Sequence, residues 1–172
     1  DIMYNDFVIV GPSADPALVE KSVSASAALT AIARSRSQFV SRGDDSGTHR
    51  KELLLWQATG LDVNSFEPGW YRSVGAGMGA ALNTASAMNA YLLSDRASWL
   101  KSGNKGQLKL LYSGDPVLFN QYAYMPVAKT KHPHVKANSA EELEAWLVGS
   151  VGQSLIGSYK LNGEALFVPN AR

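Results

Sequence analysis

The densest run of side chains able to do chemistry is Ser41-Arg42-Gly43-Asp44-Asp45-Ser46-Gly47-Thr48-His49. It follows Gln38-Phe39-Val40-Ser41, which reads as a short strand, and leads into residues 48–60, which read as a helix. Asp45, Ser46 or Thr48 can supply the capping oxygen, Glu52 falls in an early turn, Leu53, Trp56 and Gln57 recur at helical spacing, and Gly60 can end the helix. A helix start presents unpaired backbone N–H groups and the positive end of the helix dipole, which together favour an anion. Arg42 adds a planar, permanently charged donor fork suited to oxyanions. Ser46 and Thr48 add hydroxyls, and Gly47 allows close approach of the backbone. The same residues also admit a plainer arrangement, in which Ser and Thr only cap the helix and Arg42 pairs with Asp44 or Asp45.

A second turn of this kind follows the strand candidate 71–74. Gly75-Ala76-Gly77-Met78-Gly79 offers bare N–H groups at the start of another helix, with Met78, Ala81, Leu82, Ala85 and Met88 on one face. No Gly-Lys-Ser or Gly-Lys-Thr follows, so it is not a P-loop. It matches a dinucleotide fingerprint only in part, because the acidic residue expected after a following strand is missing. Two strand-to-helix turns of this chemistry point to a small anion gripped by donors. Ser46, His49 and Asp44 contain the residue types of a hydrolytic triad, without the Gly-x-Ser-x-Gly elbow. Asp45-Ser46-Gly47 resembles half of an aspartic-protease site and has no second copy. His132-Pro133-His134 has the residue type for a metal but no nearby carboxylate. Trp56, Trp99 and Trp146 read as core, Trp70 as a residue able to line a cleft, and Asp95-Arg96 as an internal ion pair.

The elements that must position these residues alternate. A strand over the first ten residues ends at Gly11-Pro12, a helix covers the second half of 17–37, and strands are expected at 90–93, 108–112 and 118–128. Helices are expected at 95–101, 140–148 and 152–159, so the class is α/β. The 172 residues, with 45% apolar and 18% charged side chains, describe a folded globular chain. Sixteen basic against fifteen acidic residues give a net charge of +1, which argues against a nucleic-acid or acidic-membrane coat. The absence of cysteine excludes disulfides, Cys-ligated zinc, iron–sulfur clusters and a thiol nucleophile. No stretch approaches the ~20 apolar residues that cross a bilayer, so no membrane insertion is expected.

Residues 3–12, the block 39–49, Gly77-Met78 and Ala90-Tyr91-Leu92-Leu93-Ser94-Asp95-Arg96 resemble the tungstate-binding protein family (TupA-like), the substrate-binding component of tungstate ABC transporters. Gly114-Asp115-Pro116 with Leu118-Phe119-Asn120, residues 131–135 and residues 152–157 continue the likeness in order. The resemblance implies a type II periplasmic-binding-protein fold: two α/β lobes joined by hinge strands, with the ligand trapped in the cleft between them. Residues 13–112 would form the lobe carrying the oxyanion turns, and 1–12 with 113–172 the hinge strands and part of the second lobe. It implies tungstate or molybdate as the ligand and no other cofactor. Arg42 and Thr48 match positions that look like oxyanion ligands, joined by Ser46, Gly47, Gly77 and Met78 through hydroxyl or backbone N–H, with Ser94 as a further candidate. No residue takes a catalytic or metal-ligating role, the partner is an ABC transporter permease, and the location is periplasmic or at the cell surface. Family members carry an upstream segment with a Thr/Ser-rich loop, usually behind a secretory signal. Because the chain opens inside a strand, the first lobe is expected to be incomplete at its N-terminus, with a missing segment or second chain completing the site. Two alternatives stay open: a hydrolase built on Ser46 and His49, and a binding-protein fold reused for another small ligand or a metal.

Overall fold

The run Phe7-Val8-Ile9-Val10 is apolar at every position, as a strand covered on both faces requires. In the computed structural model, which describes residues 1–161 and 163–171, it forms the centre of β1 (Met3–Pro12). The chain divides into a larger unit, Asp6–Phe119, and a smaller one, Asp1–Asn5 with Asn120–Arg172.

The larger unit holds β2 (Phe39–Ser41), β3 (Tyr71–Ser73), β4 (Tyr91–Asp95) and β5 (Leu108–Tyr112) in the order β3-β2-β4-β1-β5. β2 pairs in parallel with β3, Ser41 opposite Ser73, and with β4, Val40 opposite Leu92. β1 runs antiparallel to β4 and to β5. Successive strand residues face opposite sides of a sheet, and the core divides accordingly. Phe7, Ile9, Phe39, Tyr91 and Leu93 pack with α1 (Ala25–Ser35) and α2 (Gly47–Ala58) through Leu29, Ile32, Leu55 and Trp56. Val8, Val10, Val40 and Leu92 pack on the other face with α3 (Met78–Met88) and with Trp99 of α4 (Arg96–Lys101). This is the expected α/β arrangement, a mixed sheet with helices on both faces. Gly11 is where a side chain would not fit, since a Cβ there would lie 2.3 Å from the Tyr91 ring.

Two local expectations are corrected. The strand expected over 118–128 is only β6 (Phe119–Tyr122), entered through a 3-10 turn at Pro116–Leu118 that the Asp115 carboxylate caps at Val117 N (3.0 Å). Pro126, which has no N–H, stands in the part that is not strand. The buried face of α2 is Thr48, Glu52, Leu55 and Trp56, while Gln57 is exposed and Leu53 half-buried. Trp70, read as able to line a cleft, is largely buried beside Phe66, with ring centres 4.6 Å apart, and beside Trp56, and together with Phe66, Thr30 and Arg34 it lines a surface pocket.

In the smaller unit, Met3 and Tyr4 pair with Pro169 and Val168 of β9 (Val168–Pro169), and β6 also pairs with β1. α5 (Ala137–Val148) and α6 (Ser150–Ser158) follow, then the hairpin of β7 (Lys160–Leu161) and β8 (Glu164–Ala165). Polar side chains hold much of it: Gln153 Nε2 donates to the carbonyls of Ile2 (3.0 Å) and Leu147 (2.8 Å), and Asn170 Nδ2 donates to Gln121 Oε1 (2.8 Å). Among the described residues its buried hydrophobic side chains are Ile2 and Leu166. Trp146, expected in a core, is 48% exposed on α5.

Stability of the larger unit therefore rests on its two apolar layers. Leu29→Ala, at a fully buried site, is expected to cost about 2–5 kcal/mol in urea unfolding, whereas Leu54→Ala, at an exposed site on α2, should stay within about 0.5 kcal/mol. Equal costs would contradict this assignment of the core.

Candidate anion-binding site

β2, β3 and β4 run in one direction, so their carboxyl ends emerge along one edge of the sheet, and each is followed there by a helix start: α2, α3 and α4. The carboxyl edge of parallel strands is where α/β folds bind ligands. The chain leaves β2 through Arg42 and Gly43. Gly43 has φ +61°, and a Cβ there would sit 1.7 Å from Ser73 Oγ, so the turn needs glycine on both counts. The neighbouring turn is tied to the first by its backbone. Val74 N–H donates to Ser41 O (3.0 Å) and Ala76 N–H to Arg42 O (3.1 Å).

Within the first turn each carboxylate is committed to the scaffold. Asp44 pairs with Arg42 Nη2 and accepts from Ser46 N–H (3.3 Å). Hydrogen bonding from Ser46, with the Arg42 guanidinium, holds its carboxyl down at about 2. Asp45, in the left-handed region at φ 57°, takes both Nε and Nη2 of Arg50 at 2.9 Å, which lowers its carboxyl as well. Ser46 is the cap of α2: its Oγ accepts from His49 N–H (3.3 Å). The His49 ring turns elsewhere, its Nδ1 accepting from Asp45 N–H (3.1 Å). Ser46 and His49 thus form no nucleophile–base pair, the geometry the hydrolase alternative needs.

Part of the donor set remains uncommitted. Arg42 Nη1 reaches Thr48 Oγ1 at a long 3.4 Å, and Arg42 Nε is buried with no partner. A buried N–H without an acceptor is costly, and in a native fold it marks a place where something else accepts. Gly47 and Thr48 open α2, and Gly77 caps α3 with no side chain to accept from the first N–H groups after it. Space for a Cβ is open at both Gly47 and Gly77, while Thr48 and Met78 are buried. Arg42, Ser46, Gly47 and Thr48 therefore share one turn, and backbone bonds join it to the turn that carries Gly77 and Met78. Ser94 stands on β4, fully buried, its hydroxyl donating to Asp95 O (2.9 Å).

One further expectation is corrected by geometry. Asp95 and Arg96 do not pair with each other. Asp95 caps α4 at Ser98 N (2.8 Å), and Arg96 binds Asp6 through Nε and Nη2 at 2.6 and 2.7 Å. His132 and His134 have ring centres 6.1 Å apart, and no group of three or more metal-ligating side chains occurs among the described residues.

Glu52 was legible only as a residue in an early helical turn, yet it lies directly under the site. At 1% exposure its Oε1 accepts from Tyr71 OH (2.7 Å) and Trp56 Nε1 (3.3 Å). Burial raises its carboxyl to about 7 against the pull of these donors, and burial also pushes the Tyr71 phenol up. Its four-residue spacing from both Thr48 and Trp56 was the available signal for the buried face.

A family model for the PBP superfamily domain matches residues 1–150. The solved tungstate-binding protein TupA of Desulfovibrio alaskensis is 43% identical and superimposes with a TM-score of 0.85, over 99% of this chain and 69% of that one. The tungstate ABC transporter structure from Geobacter sulfurreducens is 43% identical with a TM-score of 0.81, over 92% and 66%. The tungstate-binding protein TupA of Peptoclostridium acidaminophilum is 41% identical over 99% of this chain. The chain belongs to the PBP superfamily and, within it, to the TupA-like family. It spans between 51% and 64% of the length of the curated relatives it matches.

A buried acid whose folded pKa lies above its unfolded value stays protonated in the native state while the unfolded chain ionises. Its burial therefore costs stability as pH rises from about 4.5 through 7. Between pH 5 and 8, wild type should lose up to about 3 kcal/mol more stability than Glu52→Gln in denaturant titrations; parallel pH profiles would contradict the assignment.

Proposed function

We propose that the chain captures a small tetrahedral oxyanion, tungstate first, as part of the substrate-binding component of an ABC transporter. The observation that carries this reading is the Arg42 guanidinium, mostly buried with Nε unpartnered, in a turn that opens α2 and is tied by backbone bonds to the turn that opens α3. Likeness to tungstate-binding proteins supports the choice of ligand. The ligand donors are Arg42, the Thr48 hydroxyl and the backbone N–H groups at Gly47, Gly77 and Met78, while Ser46, which donates to Asp44 and caps α2, becomes a donor to the anion only by turning its hydroxyl from Asp44. The Ser94 hydroxyl donates its hydrogen bond to Asp95 O and is not one of these donors. Molybdate, of the same shape and charge, is the nearest competitor. The partner is a membrane permease and the location periplasmic or at the cell surface.

The energetics are adequate. Hydrogen bonds with one charged partner contribute about 1.5–3 kcal/mol each, and nanomolar binding needs about 12 kcal/mol, so several fixed donors suffice. Selectivity follows from the acceptors. Asp44 and Asp45 already accept from Ser46, Arg42 and Arg50, and Asp44 stays ionised. With these carboxylates engaged by cations and N–H groups, the turn is richer in donors than in acceptors, which disfavours the O–H of a protonated phosphate.

Arg42→Ala should weaken tungstate binding by about 10- to 150-fold in calorimetry, and Arg42→Lys, which keeps the charge and loses the fork, should restore only part of it. In a thermal-shift series, tungstate and molybdate should raise Tm while phosphate does not. Unchanged tungstate affinity in Arg42→Ala would overturn the site.

A further inference from the structure

Glu52 is a fully buried carboxyl one helical turn beyond Thr48 on the same face of α2. The groups that face it are Tyr71 from β3, Ser41 and the Arg42 backbone N–H from β2 and its turn, and Trp56 from α2 itself. Packed on the same face of α2 from α1 and β4 are Leu29, Ile32 and Leu93, which are apolar, and Tyr91, whose hydroxyl is engaged by Asp15 and Ala17. No cationic side chain pairs with Glu52 among the described residues. Two donors already converge on Oε1, which leaves Oε2 as the place for a proton. Ser41 Oγ is buried facing both Glu52 and Tyr71, makes no hydrogen bond of full geometry, and as a donor favours the ionised form of either. Rotated, the same hydroxyl can accept from a protonated Oε2.

We propose that Glu52 is a proton-coupled positioning residue: an oxyanion held at the Arg42–Thr48 turn binds together with a proton on the Glu52 carboxyl. The inference rests on the reading of that turn as an oxyanion site. The physical cause is like-charge repulsion where little water screens it. A dianion one helical turn from a buried carboxylate favours the neutral acid, and linkage then requires that the proton favour the dianion equally. The proton comes from solvent, stays bound to Oε2 and hydrogen-bonds to Ser41 Oγ, so no other group changes its charge. The result is a site that holds its anion more weakly as pH rises, although the anion itself carries the same charge throughout.

The test is calorimetry of tungstate binding to the full chain at pH 7 in PIPES, HEPES and Tris, whose ionisation enthalpies differ. Wild type should take up about half a proton per tungstate, and its affinity should fall about two- to tenfold per pH unit between pH 7 and 9. In Glu52→Gln both the uptake and this slope should vanish, which loss of a merely structural contact would not produce. Tungstate binding without proton uptake in wild type, or uptake that persists in Glu52→Gln, overturns the inference and leaves the binding site standing. Absence of tungstate binding in every buffer overturns the site and this inference together.

Discussion

β2 is three residues long and hydrogen bonded on both sides to strands running in its own direction. That pairing places three strand ends, three turns and three helix starts along one edge of the sheet, and the larger unit's candidate chemistry follows from it. The Ser41–Val74 and Arg42–Ala76 backbone bonds carry the register past the last strand residues. They fix the Arg42 turn and the glycine turn as one piece. Donors aimed by strand ends and helix starts lose little freedom when a ligand arrives, so more of each bond appears as affinity.

The charges of this edge are sorted by what each is bound to. The carboxylates of Asp44 and Asp45 are tied to Arg42 and Arg50, and Asp95 and Asp6 to the start of α4 and to Arg96. What is left over is donor character: Arg42 Nε and the first N–H groups of two helices. A chain whose net charge is +1 can in this way present one strongly anion-favouring place without a basic surface. Below it lies the opposite case, the buried Glu52 carboxyl with donors around it and no cationic partner among the described residues. The two environments meet at the Arg42 backbone and share the buried face of α2.

Much of this was legible in the sequence because local rules carry it. The capping Ser46, the glycines, the fork of Arg42 and the apolar spacing of α3 all act within a few residues of one another. What local reading missed depends on partners far away along the chain. Arg96 finds Asp6 ninety residues earlier, so adjacency to Asp95 misled. Glu52 reads as an ordinary helix-start acid until Tyr71 and the sheet cover it. Trp146, expected in a core, is exposed because α5 buries none of its residues, whereas Trp70 packs into a cluster with Phe66, Tyr71 and Trp56. The strand expected to run to residue 128 fails for a local reason, the Asp115-Pro116 turn before it and Pro126 within it.

The central claim is a location: one oxyanion at the edge where α2 and α3 begin. Crystals of the chain grown with tungstate and measured at the tungsten absorption edge would test it, since the metal's anomalous signal marks the ligand without reference to the protein. The account predicts one strong peak whose oxygens lie within hydrogen-bond distance of the Arg42 guanidinium, the Thr48 hydroxyl and the first N–H groups of α3. A peak elsewhere in the chain, or none at that edge under saturating tungstate, would contradict it.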